Sequence, residues 1–251
     1  MFYFLIAPIL TWHYILITAA IIPAVFLMRK VYLSDHLEKE SSAMLSQMVQ
    51  AGILSTMLAL IEEQIGCTLL YSALPEGTLA SEAILYFLIV GGAEESSKYI
   101  MLKRRSWNSP EFNCQYDGVV YAVFVSLGFA LWENISYVLH YGFATAVVRA
   151  VTAIPGHACF GVFMGVFYGL AKSASLRGDA RQSKTFRVLA VLVPMVIHGA
   201  YDFIASDDMK LIFTSADSAL LDCAFLVFIA CLFVVAFQMV SKASKEDRYI
   251  R

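Results

Sequence analysis

Long stretches that are apolar on every side recur along the chain, separated by short polar connections. A soluble core helix needs only one apolar stripe, so this pattern predicts membrane spans of about 20 residues each. Seven can be drawn, at roughly Phe4 to Met28, Met44 to Tyr71, Ala80 to Leu102, Gly118 to His140, Ala144 to Lys172, Phe186 to Ile204 and Leu220 to Val240. Pro8 and Pro23 are expected to bend the first. The second begins amphipathic and carries Glu62 and Glu63. The fold class is therefore all-α, a polytopic transmembrane helix bundle of about seven spans. No Pro/Gly/Ser-rich linker divides residues 1–251, which read as one domain.

Composition strengthens this picture. Charged residues are 15% and hydrophobic residues 59%, with a mean hydropathy of +0.69, against about 25% charged in soluble domains. Aromatic residues at 14% suit two interfacial belts. A net charge of -2 gives no basis for a nucleic-acid partner, and none is expected. The five cysteines form no C-x-x-C pair and four lie in apolar runs, which argues against disulfides or a thiolate zinc site. The first run has no basic residue before it, so it reads as a retained span rather than a signal peptide.

Basic residues set the expected orientation. The connections after spans one, three and five, together with the C-terminal tail, hold 15 Lys and Arg; the opposite connections hold only Lys210. Cytoplasmic loops collect such residues, which places the N-terminus outside and the C-terminus in the cytoplasm. That parity needs an odd number of spans. Lys98 and Arg149 fall within spans.

Charges at mid-bilayer cost about 2.5 to 3.5 kcal/mol on insertion scales, so polar groups there ask for a reason. The third span carries GGAEESSKY, with Glu94, Glu95 and Lys98. Glu94 and Lys98 share a helical face and can pair, while Glu95 points about 100° away. A self-neutralising ion pair would explain one acid but not two. The fourth span places Glu133 and Asn134 in GFALWENISY, readable as a hydrogen bond between helices or as part of a site. In the fifth, His157, Gly161, Gly165 and Gly169 recur every four residues, a small-residue ridge that aims His157 at a neighbouring helix. Arg149 either snorkels or pairs with an acid. In the sixth, His198 and Asp202 share a face, so the carboxylate can fix the imidazole's tautomer. His13 reads as interfacial, Glu62 and Glu63 as cavity-lining or bundle-facing, and Asp217 and Asp222 as the outer end of span seven.

Five motifs in order, E-E-x-x-K (Glu94 to Lys98), D-G-V-V-Y (Asp117 to Tyr121), F-A-L-W-E-N (Phe129 to Asn134), P-G-H (Pro155 to His157) and H-G-A-Y-D (His198 to Asp202), resemble those of the PrsW intramembrane proteases. That family is related to the CAAX prenyl endopeptidases and, more remotely, to the scaffold subunit of γ-secretase. The resemblance covers roughly residues 84–204; the N-terminal region and the seventh span match less well. It implies a protease of the bacterial cytoplasmic membrane that cuts membrane-anchored proteins of the anti-sigma-factor type. It also implies that Glu94 and Glu95 are catalytic and that His157 and His198 belong to the site.

The chemistry of these residues is compatible with that role. Hydrolysis needs a base for water and donors for the oxyanion. Glu95 is the expected base, with Glu94 held by Lys98 as its partner, although the two could exchange roles. His198, oriented by Asp202, and His157 would serve the oxyanion or the water; Glu133 and Asn134 complete the chamber. The same groups could instead hold zinc, with ligands drawn from Glu94, Glu95, Glu133, His157 and His198. Two other functions fit intramembrane acids and histidines: a proton-coupled transporter, and a non-catalytic membrane scaffold holding a partner helix.

Overall fold

The computed structural model describes residues 2–206 and 215–250, with side chains described for 11–206 and 219–250. The described residues form nine α-helices and one π-helical segment: α1 Phe2–Leu33, α2 Ser42–Ala73, α3 Leu79–Ile84, the π segment Leu85–Val90, α4 Gly91–Ser106, α5 Asp117–Tyr141, α6 Phe143–Val151, α7 Ala153–Leu176, α8 Ala180–Ala205 and α9 Ser215–Lys245. Among the described residues six helical stretches are long and apolar enough to cross a membrane. The stretch missing from the seven expected is the third. It forms one continuous helical rod, Leu79 to Ser106, but the acids and lysine of GGAEESSKY lower its hydropathy.

The fifth expected span is not one helix. It breaks at Thr152 (φ -118°, ψ -77°) into α6 and α7. Pro155 explains the break: it has no N–H for the carbonyl of Val151, four residues back, and its ring crowds that carbonyl. Helix α1, by contrast, continues through both Pro8 and Pro23. All five cysteines are free. Lys210 and the side chain of Asp217 lie outside the described residues.

Helix α5 is the spine of the bundle. Residues Asp117 to Ala130 are all buried, flanked by α1, α2, α4 and α7. The glycine ridge of α7 faces it. A Cβ on Gly165 would sit 2.5 Å from Val119 Cα, and one on Gly169 would sit 2.2 Å from the carbonyl oxygen of Gln115. The two backbones therefore touch, as small residues permit inside membranes. The outward faces stay apolar, for example Leu54, Leu60, Ile61 and Leu69 on α2, which suits contact with lipid chains.

The connections that carry the basic residues meet at one end of the bundle. The Ser244 hydroxyl donates to the Ser34 carbonyl, Lys172 donates to the Trp107 carbonyl at 2.6 Å, and Tyr116 donates to the Val31 carbonyl at 3.3 Å. Gathering these connections on one face is what the charge-based topology requires.

The ridge makes a direct prediction. Gly165→Leu must push α7 off α5 and is expected to cost at least about 1–3 kcal/mol, the usual range for overpacking. A fall in the thermal midpoint of the purified protein in detergent checks it, with Gly92→Ala, whose Cβ would meet only the end of the Met195 side chain at 3.6 Å, as a mild control.

Candidate active site

Lys98 is the centre of the site. It is wholly buried on α4, and its ammonium donates to Glu94 Oε2 at 2.9 Å and Glu95 Oε1 at 2.8 Å. It also meets His157 Nδ1 at 3.1 Å and sits 4.1 Å above the Phe129 ring. The sequence expectation paired Lys98 with Glu94 alone and turned Glu95 elsewhere. The lysine stem reaches both, because residues three and four back lie on neighbouring faces of one turn.

Each imidazole is clamped by carboxylates. An ammonium can only donate, so His157 Nδ1 accepts from Lys98 and Nε2 carries the proton directed at Glu133 Oε2, 2.9 Å away. His198 Nδ1 lies 2.9 Å from Glu95 Oε1, and its Nε2 lies 3.2 Å from Asp202 Oδ2 and 3.8 Å from Glu94 Oε2. The two rings stand 5.3 Å apart between centroids. Ser126 on α5 donates to the backbone carbonyl of His157 at 2.6 Å, fixing the start of α7.

A second chain of contacts braces the acids from α6. Arg149 bonds Glu133 Oε1 at 3.0 Å and donates from Nε to Asn134 Oδ1 at 2.9 Å. Asn134 in turn donates to the Ala20 carbonyl of α1 at 3.0 Å. The break at Thr152 makes this possible, since α6 can lean over the site while α7 runs into the bundle. Arg149 thus pairs rather than snorkels.

The bundle also had to let α8 approach. A Cβ on Gly199 would lie 2.7 Å from Phe87 Cα, in the π-helical segment, and one on Gly91 would lie 2.8 Å from the Met195 carbonyl oxygen. This close crossing carries His198 to Glu95. A π turn next to a functional cluster is a common association.

A cavity of about 690 Å³ opens onto the cluster. Glu94, Glu133, Arg149, His157, His198 and Asp202 line it; Glu95, Lys98 and Asn134 do not. The Glu94 side chain keeps 10% exposure and that of Glu95 none. Glu63 of α2 also lines the cavity, together with Trp132, Tyr137 and Tyr201. Glu62 instead accepts from Ser96 at 3.2 Å. The sequence left both acids as cavity-lining or bundle-facing, and the structure sorts them: Glu63 lines the cavity and Glu62 faces α4. One donor atom each from Glu94, His157 and His198 lies within 4.8 Å of the others, and all three residues are buried. This is the two-histidine, one-carboxylate ligand set of catalytic zinc sites. The carboxylates behind both rings are the kind of partner that orients metal-binding histidines. The set fits a metal in kind, and Lys98 shares two of its donors.

Fold and site together define a polytopic membrane protein whose helices enclose a glutamate–histidine chamber. Residues 40–237 match the family model described as PrsW family intramembrane metalloprotease, and the chain belongs to this family of intramembrane proteases. It is 34% identical over 189 residues to Protease PrsW of Geobacillus kaustophilus (strain HTA426), covering 75% of this chain and 79% of that protein. Protease PrsW of Halalkalibacterium halodurans (strain ATCC BAA-125 / DSM 18197 / FERM 7344 / JCM 9153 / C-125) is 32% identical, and that of Bacillus subtilis (strain 168) 31%; each alignment covers 75% of this chain and 82% of the relative. No solved structure matches the chain. With its spanning helices and bacterial relatives, it is an integral bacterial membrane protein.

Removing the central ammonium leaves two buried carboxylates without the cation they share, Glu95 keeping only its contact with His198. Lys98→Met is expected to destabilise by about 3–5 kcal/mol, the usual cost of breaking a buried pair. Adding Glu95→Gln to Lys98→Met should recover part of the loss. Thermal melts of the three proteins in detergent check both; a single variant as stable as wild type would show that the bridge is not structural.

Proposed function

We propose that the chamber hydrolyses a peptide bond of a membrane-anchored substrate, with Glu94, His157 and His198 at the reacting centre. The observation that supports this reading most is their convergence, from three separate helices, within 4.8 Å on the wall of one cavity. Glu94 takes the role that the sequence reading gave to Glu95, because Glu94 is the acid that meets the cavity. It accepts the proton of the attacking water and returns it to the leaving amine. Lys98 holds its carboxylate in place, and Glu95 and Asp202 orient His198. Arg149 stands on the same wall as a donor for the developing oxyanion, and His157, its proton held toward Glu133, lies beside it.

Glu94, His157 and His198 would hold a zinc ion if one binds, and Glu94 would then serve as a ligand rather than as the base. Such an ion supplies Lewis acidity and acidifies a bound water. The residue roles behind the centre, the clamps on each ring and on Glu94, are the same with or without it.

The resemblance in motifs extends the reading to substrate: a single-span protein of the anti-sigma-factor type. The cavity lies deep enough for such a segment. Glu133 is eight residues from the end of α5 at Tyr141, about 12 Å along the axis at 1.5 Å per residue.

A cleavage assay in detergent with a single-span substrate tests the proposal. Glu94→Gln and His198→Ala are each expected to lower turnover at least about 100-fold, the usual scale for a catalytic acid or base. Equal cutting by wild type and both variants would sink it. In the same preparation, about one zinc per chain and loss of cutting with a chelator are expected; full activity in protein free of metal would leave Glu94 as the sole activator of water.

A further inference from the structure

A second cluster of acids lies at the other end of α5, in the connection between α1 and α2. Asp35, Glu40 and Asp117 are 1%, 7% and 1% exposed, and one carboxylate oxygen from each lies within 4.8 Å of the others. The protease reading uses none of them. Asp117 Oδ2 accepts from the backbone N–H groups of Asn113 and Cys114 at 2.9 and 2.6 Å, and Glu40 Oε2 accepts from the Tyr121 hydroxyl. The lysine beside them does not reach the carboxylates. Lys39 Nζ donates to the backbone carbonyls of Tyr32 and Asp35.

Asp35 supplies the separate observation. Both of its carboxylate oxygens are buried and neither makes a well-formed hydrogen bond, the backbone N–H groups of Leu37 and Glu38 lying only nearby, and one oxygen is in contact range of the other two acids. Asp117 Oδ1 is likewise unpartnered, as are Asn113 Oδ1 and Asp247 Oδ2 in the segments beside it. A proton shared between Glu40 and Asp117 would quiet that pair but would leave both oxygens of Asp35 unmatched. Leaving a buried acceptor unmade costs about 1–3 kcal/mol, more if it is charged. A cation satisfies several such oxygens at once without needing directional donors.

We propose that Asp35, Glu40 and Asp117 bind one hard divalent cation, Ca²⁺ or Mg²⁺. Oxygen-only donors select these ions over zinc, which favours the nitrogen-bearing set at the other end of the bundle. The site ties the connection after α1 to the first turn of α5. The C-terminal tail closes over the same place: Tyr116 N–H donates to Asp247 Oδ1 at 2.8 Å, Gln115 N–H to the Arg248 carbonyl at 3.0 Å, and Ile250 N–H to the Asn113 carbonyl at 2.8 Å. The ion acts as a staple for α5, whose Glu133 lies 16 residues further on.

Calorimetric titration of the full-length, chelator-stripped protein in detergent with CaCl₂ and, separately, MgCl₂ tests the proposal. One saturable site per chain for at least one ion is expected, together with a rise in thermal midpoint of several degrees. Whichever salt acts more strongly identifies the ion. Asp35→Asn should lose both effects, and Glu94→Gln should keep them, which separates this site from the protease centre. Should neither salt bind or shift the melt of the wild type at millimolar concentration, the proposal fails without any variant. It fails equally if binding survives Asp35→Asn, or if that substitution alone raises the melting point while the salts do nothing, for then the acids hold protons instead.

Discussion

The arrangement depends on one buried ammonium. Lys98 is enclosed by Glu94, Glu95, His157 and the face of Phe129, with no access to water. A charge in that position is tolerable only because its partners are close and several. The converse also holds. Two adjacent carboxylates inside an apolar bundle would repel one another, and the lysine lets both remain. Removing it from the sequence would leave a helix that could bury Glu94 and Glu95 only by protonating or exposing them. The bridging position of Lys98 therefore sets where α4, α5 and α7 can stand.

Close backbone contact does the rest. Gly165 and Gly169 bring α7 against α5, and Gly91 and Gly199 bring α8 against the rod that holds the acids. Inside a bilayer, lipid tails are as apolar as leucine, so helices gain from close packing and interhelical hydrogen bonds rather than from hiding apolar surface. The site supplies such bonds in number. His157 reaches α4 and α5, His198 reaches α4, and Arg149 ties α6 to α5. Packing and chemistry are thus carried by the same residues, and the polar chamber is part of what specifies the bundle.

Much of this was legible in the sequence, and the reasons for the gaps are physical. Span lengths and all-round apolarity placed the long helices, with ends up to six residues short, but did not show the break at Thr152. Spacing of four gave the Glu94–Lys98 pair, the His198–Asp202 pair and the α7 ridge, because each is a property of one helix. What spacing could not give is phase between helices. Which of Glu94 and Glu95 faces the cavity depends on the rotation of the rod, and the π-helical turn at Leu85–Val90 alters that rotation just upstream. The pairing of Arg149 with Glu133 depends on α6 leaning away from the line of α7, which the break at Thr152 before Pro155 allows, a local rule that hydropathy masked. Glu40 and Asp35 were hidden for another reason. Their neighbours are distant in the chain, as when Tyr121 meets Glu40 81 residues away, and an acid near a span end reads as ordinary solvated polarity.

The two acid clusters then divide along hard and soft lines. The chamber mixes imidazole nitrogen with carboxylate and holds its own cation, Lys98. The cluster at the basic end offers oxygen alone, and among the described residues its nearest cation, Lys39, spends its ammonium on backbone carbonyls rather than on the carboxylates. A tethered ammonium suits the site that must stay charged while a substrate enters and water is consumed, since it cannot diffuse away. A diffusible ion suits the junction of connection, tail and helix, where the ligands come from two separate stretches of chain, the α1–α2 connection and the start of α5, and must assemble before the ion has a site. Helix α5 belongs to both clusters, through Asp117 at one end and Glu133 toward the other. Its register is thereby held at two points, and a rigid rod fixed at two points places every side chain between them.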